Sequence, residues 1–117
     1  ARLVIDDRSV PEDDFVDATM NRLDTLHDRS HVREYRQSEW VAMLERAGFA
    51  LEVAEGFVRH RPISSLTDGA TPDDAREVHR IVESLTPEQR AALNVVERDG
   101  ETYSNHWYLL LAATRQG

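Results

Sequence analysis

His31, Arg33 and Tyr35 place an imidazole, a guanidinium and a phenol within one short polar stretch, His27-Asp-Arg-Ser-His31-Val-Arg33-Glu-Tyr35-Arg-Gln37. A loop of this composition could cover a ligand site and orient a small molecule. His31 would then be available as a base, since imidazole ordinarily titrates near neutrality. The same residues could equally form a structural loop in which Arg33 pairs with Glu34, Glu39 or another acid and His31 donates to a backbone carbonyl. Asp6 and Asp7 follow the apolar run Arg2-Leu-Val-Ile5. If that run is a strand, the two carboxylates stand at its carboxyl end, where open α/β sheets form their ligand crevice. There they could accept a hydrogen bond or a proton from a ligand. The plainer reading is a strand-end turn whose acids are solvated or cap the next helix.

Other chemistry is weakly supported. The chain has five histidines and no cysteine. His27 and His31 are spaced for one helix face, but no H-E-x-x-H pattern accompanies them, and no metal is expected. Arg59-His-Arg61 could hold a phosphate or carboxylate, although so short a basic run is ordinarily a solvated strand end. No G-x-S-x-G nucleophile context is present.

The elements that must position these residues alternate between periods. Arg2–Ile5 reads as a buried strand. From Pro11 to about His27, Val16, Met20, Leu23 and Leu26 recur at helical steps, with Glu12, Asp13 and Asp14 where the helix dipole favours acids. Ser38 is expected to cap a second helix with an apolar face of Trp40, Met43, Leu44 and Ala47, ended by Gly48. Phe49–Phe57 reads as a strand with Leu51 and Val53 on one side and Glu52 on the other. Thr71-Pro-Asp-Asp74 and Thr86-Pro-Glu-Gln89 each put a hydroxyl at the cap and proline at the first helical position. The first of these helices turns Val78, Val82 and Leu85 inward, and the second is short, from Pro87 to Leu93. Asp99-Gly100 marks a turn, and Trp107–Ala113 is apolar on both faces, as in a central, doubly covered strand. The order predicts an α/β fold.

The whole chain is 117 residues, with 14 basic and 22 acidic side chains, a net charge of −8 and 40% hydrophobic residues. That size gives one small domain or part of one. The acidic balance opposes phosphate backbones, so no nucleic-acid partner is expected. The absence of cysteine excludes a disulfide scaffold and leans towards the cytoplasm. The longest apolar run is far shorter than a membrane-spanning helix needs, and no membrane partner is expected.

Three blocks carry a family resemblance: Arg2-Leu-Val-Ile-Asp6-Asp-Arg-Ser-Val-Pro11-Glu, Asp28-Arg-Ser-His31-Val-Arg33-Glu-Tyr35, and Ser38-Glu-Trp40-Val-Ala-Met-Leu44-Glu-Arg-Ala-Gly48-Phe49. Together the sequence resembles the C-terminal half of class I S-adenosylmethionine-dependent methyltransferases, of the small-molecule type related to ubiquinone and menaquinone biosynthesis enzymes. The resemblance implies the C-terminal part of a Rossmann-like sheet, with three strands and four helices, and with the last strand antiparallel and central between Arg2–Ile5 and Phe49–Phe57. It implies that residues 1–117 lack the cofactor-binding half, because the family's glycine-rich loop has no counterpart among the scattered glycines. S-adenosylmethionine would serve the full-length protein, none would bind this fragment, and the fragment would be inactive. Asp6, Asp7, His31, Arg33 and Tyr35 become the expected contacts to a small-molecule methyl acceptor, with Met20 and Leu23 shaping its pocket. A homodimer through the first strand or first helix is expected to cover the edge left free. The alternative is a free-standing, non-enzymatic binding or dimerisation module.

Overall fold

A computed structural model describes residues 1–116. The element order is β1 (Arg2–Ser9), α1 (Asp14–His27), α2 (Gln37–Arg46), β2 (Phe49–Pro62), α3 (Ser64–Thr67), α4 (Pro72–Glu83), α5 (Pro87–Ala92), β3 (Val96–Arg98) and β4 (Glu101–Arg115). The strands form one sheet of order β1-β4-β2, with β3 also paired to β4. Every pairing is antiparallel to β4, so β1 and β2 run parallel to each other on either side of it. The central, antiparallel placement of Trp107–Ala113 is therefore as expected. Four strands and five helices replace the expected three and four. The additions are β3, which the Asp99-Gly100 turn folds back onto β4, and the single turn α3. Asp99 and Gly100 both have positive φ, at 52° and 78°, the conformation that a two-residue hairpin demands.

Several boundaries differ from the periodic reading. The first strand does not stop at Ile5: Asp6 and Asp7 pair with Leu110 and Leu109 inside the ladder. Backbone pairing with the long β4 outweighs the poor strand propensity of aspartate. Helix α1 begins at Asp14, because Asp13 is its cap and accepts from the Val16 amide at 2.9 Å. Ser38 lies inside α2 and does not cap it. Glu39 Oε1 instead accepts from the Arg36 backbone amide at 2.9 Å, closing the helix start two residues earlier. The caps at Thr71 and Thr86 stand as read, accepting from Asp74 and Gln89 amides.

Leu51 and Val53 do not share a face. Their partners on β4 are the adjacent residues Ala113 and Ala112, with the register shift falling at Glu52. This bulge turns Leu51 towards α2 and Val53 to the opposite side. Glu52 itself accepts from Thr114 and lies 3.5 Å from Arg2.

Two apolar clusters hold the elements. Leu44 of α2 packs on Leu109, Leu111 and Ala113 of β4, flanked by Ile5, Trp40, Phe49, Leu51 and Ala54. The larger cluster joins α1 to α3, α4 and α5 through Met20, Leu23, Leu26, Leu66, Val78 and Leu93. Met20 and Leu23 thus belong to a core and do not line a pocket. The face of the sheet away from α2 is open in part among the described residues: Val4 and Phe57 on it are 60% and 39% exposed. No helix of the described residues is long and apolar enough to cross a membrane.

Candidate functional site: a cleft between the first strand, helix α1 and residues 28–36

Helix α1 presents a polar ridge beside its apolar face. Asp17, Asn21 and Asp24 recur at helical steps, and both aspartates are buried. They draw in the cations of the following loop. Arg33 makes a two-pronged pair with Asp17, both contacts at 2.9 Å, and its Nη2 also donates to Glu39 Oε1 at 3.0 Å. Arg36 Nε donates to Asp17 Oδ2 at 2.8 Å. Burial pushes the Asp17 carboxyl up, but the donors from Arg33 and Arg36 outweigh it and hold the group below its ordinary value. Asn21 Oδ1 accepts the Glu34 backbone amide at 2.6 Å. The stretch after α1, which lacks helical periodicity, is fixed by these bonds.

The loop so held closes a cleft of about 350 Å³ lined by Asp7, Arg8, Asp24, His31, Arg33, Glu34, Tyr35 and Trp40, among others. Asp7, His31, Arg33 and Tyr35 therefore meet at one site. Asp6 does not join them. It lines a separate, shallow depression with Phe57, Arg59, Arg61 and Tyr108. Arg33 reaches the cleft wall with its guanidinium committed to Asp17 and Glu39, so its structural reading is realised in the geometry. Tyr35 stands edge-on to Trp40, with ring centroids 5.8 Å apart. Arg59 and Arg61 lie within β2; Arg61 Nη1 donates to Tyr108 Oη at 3.1 Å.

The floor of the cleft holds groups that the sequence reading passed over. Arg8 Nη2 lies 3.0 Å from Asp24 Oδ2 and 3.4 Å from Glu34 Oε1. Burial foremost, and then the neighbouring Asp24 carboxyl, push Glu34 up to about 10. Its Oε2 has no hydrogen-bond partner, nor do Arg8 Nε and His106 Nε2. His106, fully buried on β4, is pulled down to about 4 by burial and by the charge of Arg8. The available signal for Asp24 was its helical spacing from Asp17. Nothing local marks Glu34 or His106, since each is buried by residues distant in sequence.

This is the architecture of part of a methyltransferase-type α/β domain, as the sequence resemblance implied. A solved structure from Bacillus halodurans C-125, provisionally assigned as a methyltransferase, matches all of this chain with a TM-score of 0.90 and 28% identity; the match covers 56% of that protein. The YcgJ protein of Bacillus subtilis matches all of this chain with a TM-score of 0.82 and 24% identity, over 52% of its length. The chain thus spans about half the length of the solved structures it matches. No family model and no curated protein sequence matches it.

The glycines of the described residues stand apart from one another. Gly48, Gly69 and Gly100 sit in separate turns with positive φ, and Gly56 lies within β2. No two of them form one ligand-wrapping loop.

Proposed function

We propose that this chain is the acceptor-side half of a small-molecule methyltransferase that uses S-adenosylmethionine bound by a preceding, cofactor-binding half. The observation that carries the reading is the match of the entire chain to about half of a methyltransferase-assigned structure. In this reading the cleft holds the methyl acceptor. Asp7 and His31 offer polar contacts at its mouth, Tyr35 and Trp40 offer apolar surface, and Arg33 fixes the wall through Asp17. Alignment of two reactants can itself supply much of the rate enhancement, so a rigid wall is a sufficient contribution from this half. Asp6, in its separate depression, is a second and more remote acceptor contact. The protein acts in the cytoplasm and needs neither nucleic acid nor membrane.

The isolated 117 residues would be inactive and would dimerise through β1. Among the described residues β1 pairs only with β4, which leaves its outer backbone groups unpaired beside exposed Val4. Such an edge is a template for another strand. In the full protein the cofactor half would supply that strand.

Calorimetry of the isolated chain and of the full-length protein against S-adenosylmethionine tests the reading. Micromolar binding by the full-length protein alone supports it; equal binding by the 117 residues overturns the division of labour. A full-length protein that binds no S-adenosylmethionine favours the non-enzymatic module.

A further inference from the structure

We propose that Asp24, His31 and Glu34 form a site for one divalent transition-metal ion at the junction of α1 with residues 28–36. Each of the three offers a ligand atom, and these atoms all lie within 4.8 Å of one another. The Asp24 and Glu34 side chains are each only 6% exposed. Glu34 Oε2 is an acceptor without a donor in that buried setting, a condition that native structures rarely leave unmet.

The Asp24 and Glu34 carboxyls share a single guanidinium partner, that of Arg8. A divalent ion beside Arg8 would displace any proton the two carboxyls hold and give Oε2 its missing partner. Arg8 keeps its contacts through Nη1 and Nη2 to the carboxylate oxygens, at 3.4 Å and 3.0 Å to Asp24.

His31 is held ready as a ligand. Asn21 Oδ1 accepts from the Glu34 amide, which fixes that atom as oxygen, and His31 Nε2 lies 3.2 Å from it. Nε2 therefore donates to Asn21, which leaves Nδ1 as the ring nitrogen able to ligate. Hydrogen bonding of the second ring nitrogen is the usual way a metal-binding histidine is oriented. Two carboxylate oxygens and one imidazole nitrogen suit Mn²⁺, Fe²⁺ or Zn²⁺ better than Ca²⁺ or Mg²⁺, which favour all-oxygen shells. The open side of the cleft leaves room for water to complete the shell. Its test needs no methyl transfer.

The test uses the 117-residue chain after treatment with a chelator. Free Mn²⁺ is followed by electron paramagnetic resonance, and Zn²⁺ by calorimetry. One ion per chain should bind, with affinity falling about tenfold or more in Glu34→Gln and in His31→Gln. His79→Gln, on the exposed side of α4, should bind as the parent does. Circular dichroism establishes that Glu34→Gln is folded, and a thermal midpoint that rises with Mn²⁺ in the parent but not in Glu34→Gln gives a second readout. Absence of saturable binding of either ion below about 1 mM, or binding unchanged by Glu34→Gln, overturns the proposal.

Discussion

Arg33 grips Asp17 with both arms of its guanidinium, each contact at 2.9 Å, and so fastens the wall of the cleft to helix α1. The Asp17 side chain is 6% exposed and the Arg33 side chain 45% exposed. The two halves of the pair therefore differ in what their loss would cost.

Asp17→Ala leaves Arg33 and Arg36 without their shared buried acceptor. Removing one partner of a buried pair is strongly destabilising, by about 3–5 kcal/mol. Arg33→Ala removes a half-exposed partner while Arg36 still serves Asp17, and should cost only about 1 kcal/mol. Urea denaturation of both variants checks the order; equal losses would show that the pair does not anchor the loop as described.

His106 makes stability depend on pH. The unfolded imidazole takes up a proton near 6.5, whereas the folded one does so at about 4. Between these values the unfolded state binds more protons, so stability falls as the pH falls through that window, by about 3 kcal/mol in all. His106→Gln should flatten this part of the profile. Chemical denaturation at pH 7, 6 and 5 measures the slope, and an unchanged slope in the variant would assign it elsewhere.

The bulge at Glu52 predicts an asymmetry between two deletions. Without Glu52, Leu51 and Val53 become consecutive opposite Ala113 and Ala112, the regular register, and every other side chain keeps its face. The fold should survive, with a loss of about 1 kcal/mol from the exposed contact to Arg2. Deleting Val58, in a regular part of β2, would turn Arg59–Pro62 over relative to β4 and should cost far more. Thermal melts of the two deletion variants decide the point.

Dimerisation through β1 is checked at Val4, which is 60% exposed. Val4→Lys places a charge on the free edge, a common guard against strand pairing. Light scattering at micromolar concentration should read about twice the chain mass for the parent and the monomer mass for the variant. A parent that is monomeric would remove this part of the proposal.

The sequence by itself determined the elements whose signals are local. Thr71-Pro72 and Thr86-Pro87 start helices because hydroxyl capping and proline's fixed φ act within one turn. Gly48 and Asp99-Gly100 mark chain reversals because they adopt positive φ at low cost. The apolar run Trp107–Ala113 identified the central strand because a strand flanked by others on both edges hides most of its side chains. Three methyltransferase-like blocks gave the architecture.

Tertiary structure alone decided what depends on pairing and distant burial. The acids at positions 6 and 7 lie inside β1 because β4 supplies partners for their backbone, and the pleat then sends them to opposite faces. Val53 parts from Leu51 because a bulge is a relation between two strands, which no single-strand period reveals. The cleft was half legible: Asp7, His31, Arg33 and Tyr35 line it together, yet Arg8, Asp24 and Glu34 form its polar floor, with His106 buried on β4. Their roles arise from contacts between β1, α1, residues 28–36 and β4, and burial by remote segments leaves no periodic trace in the sequence.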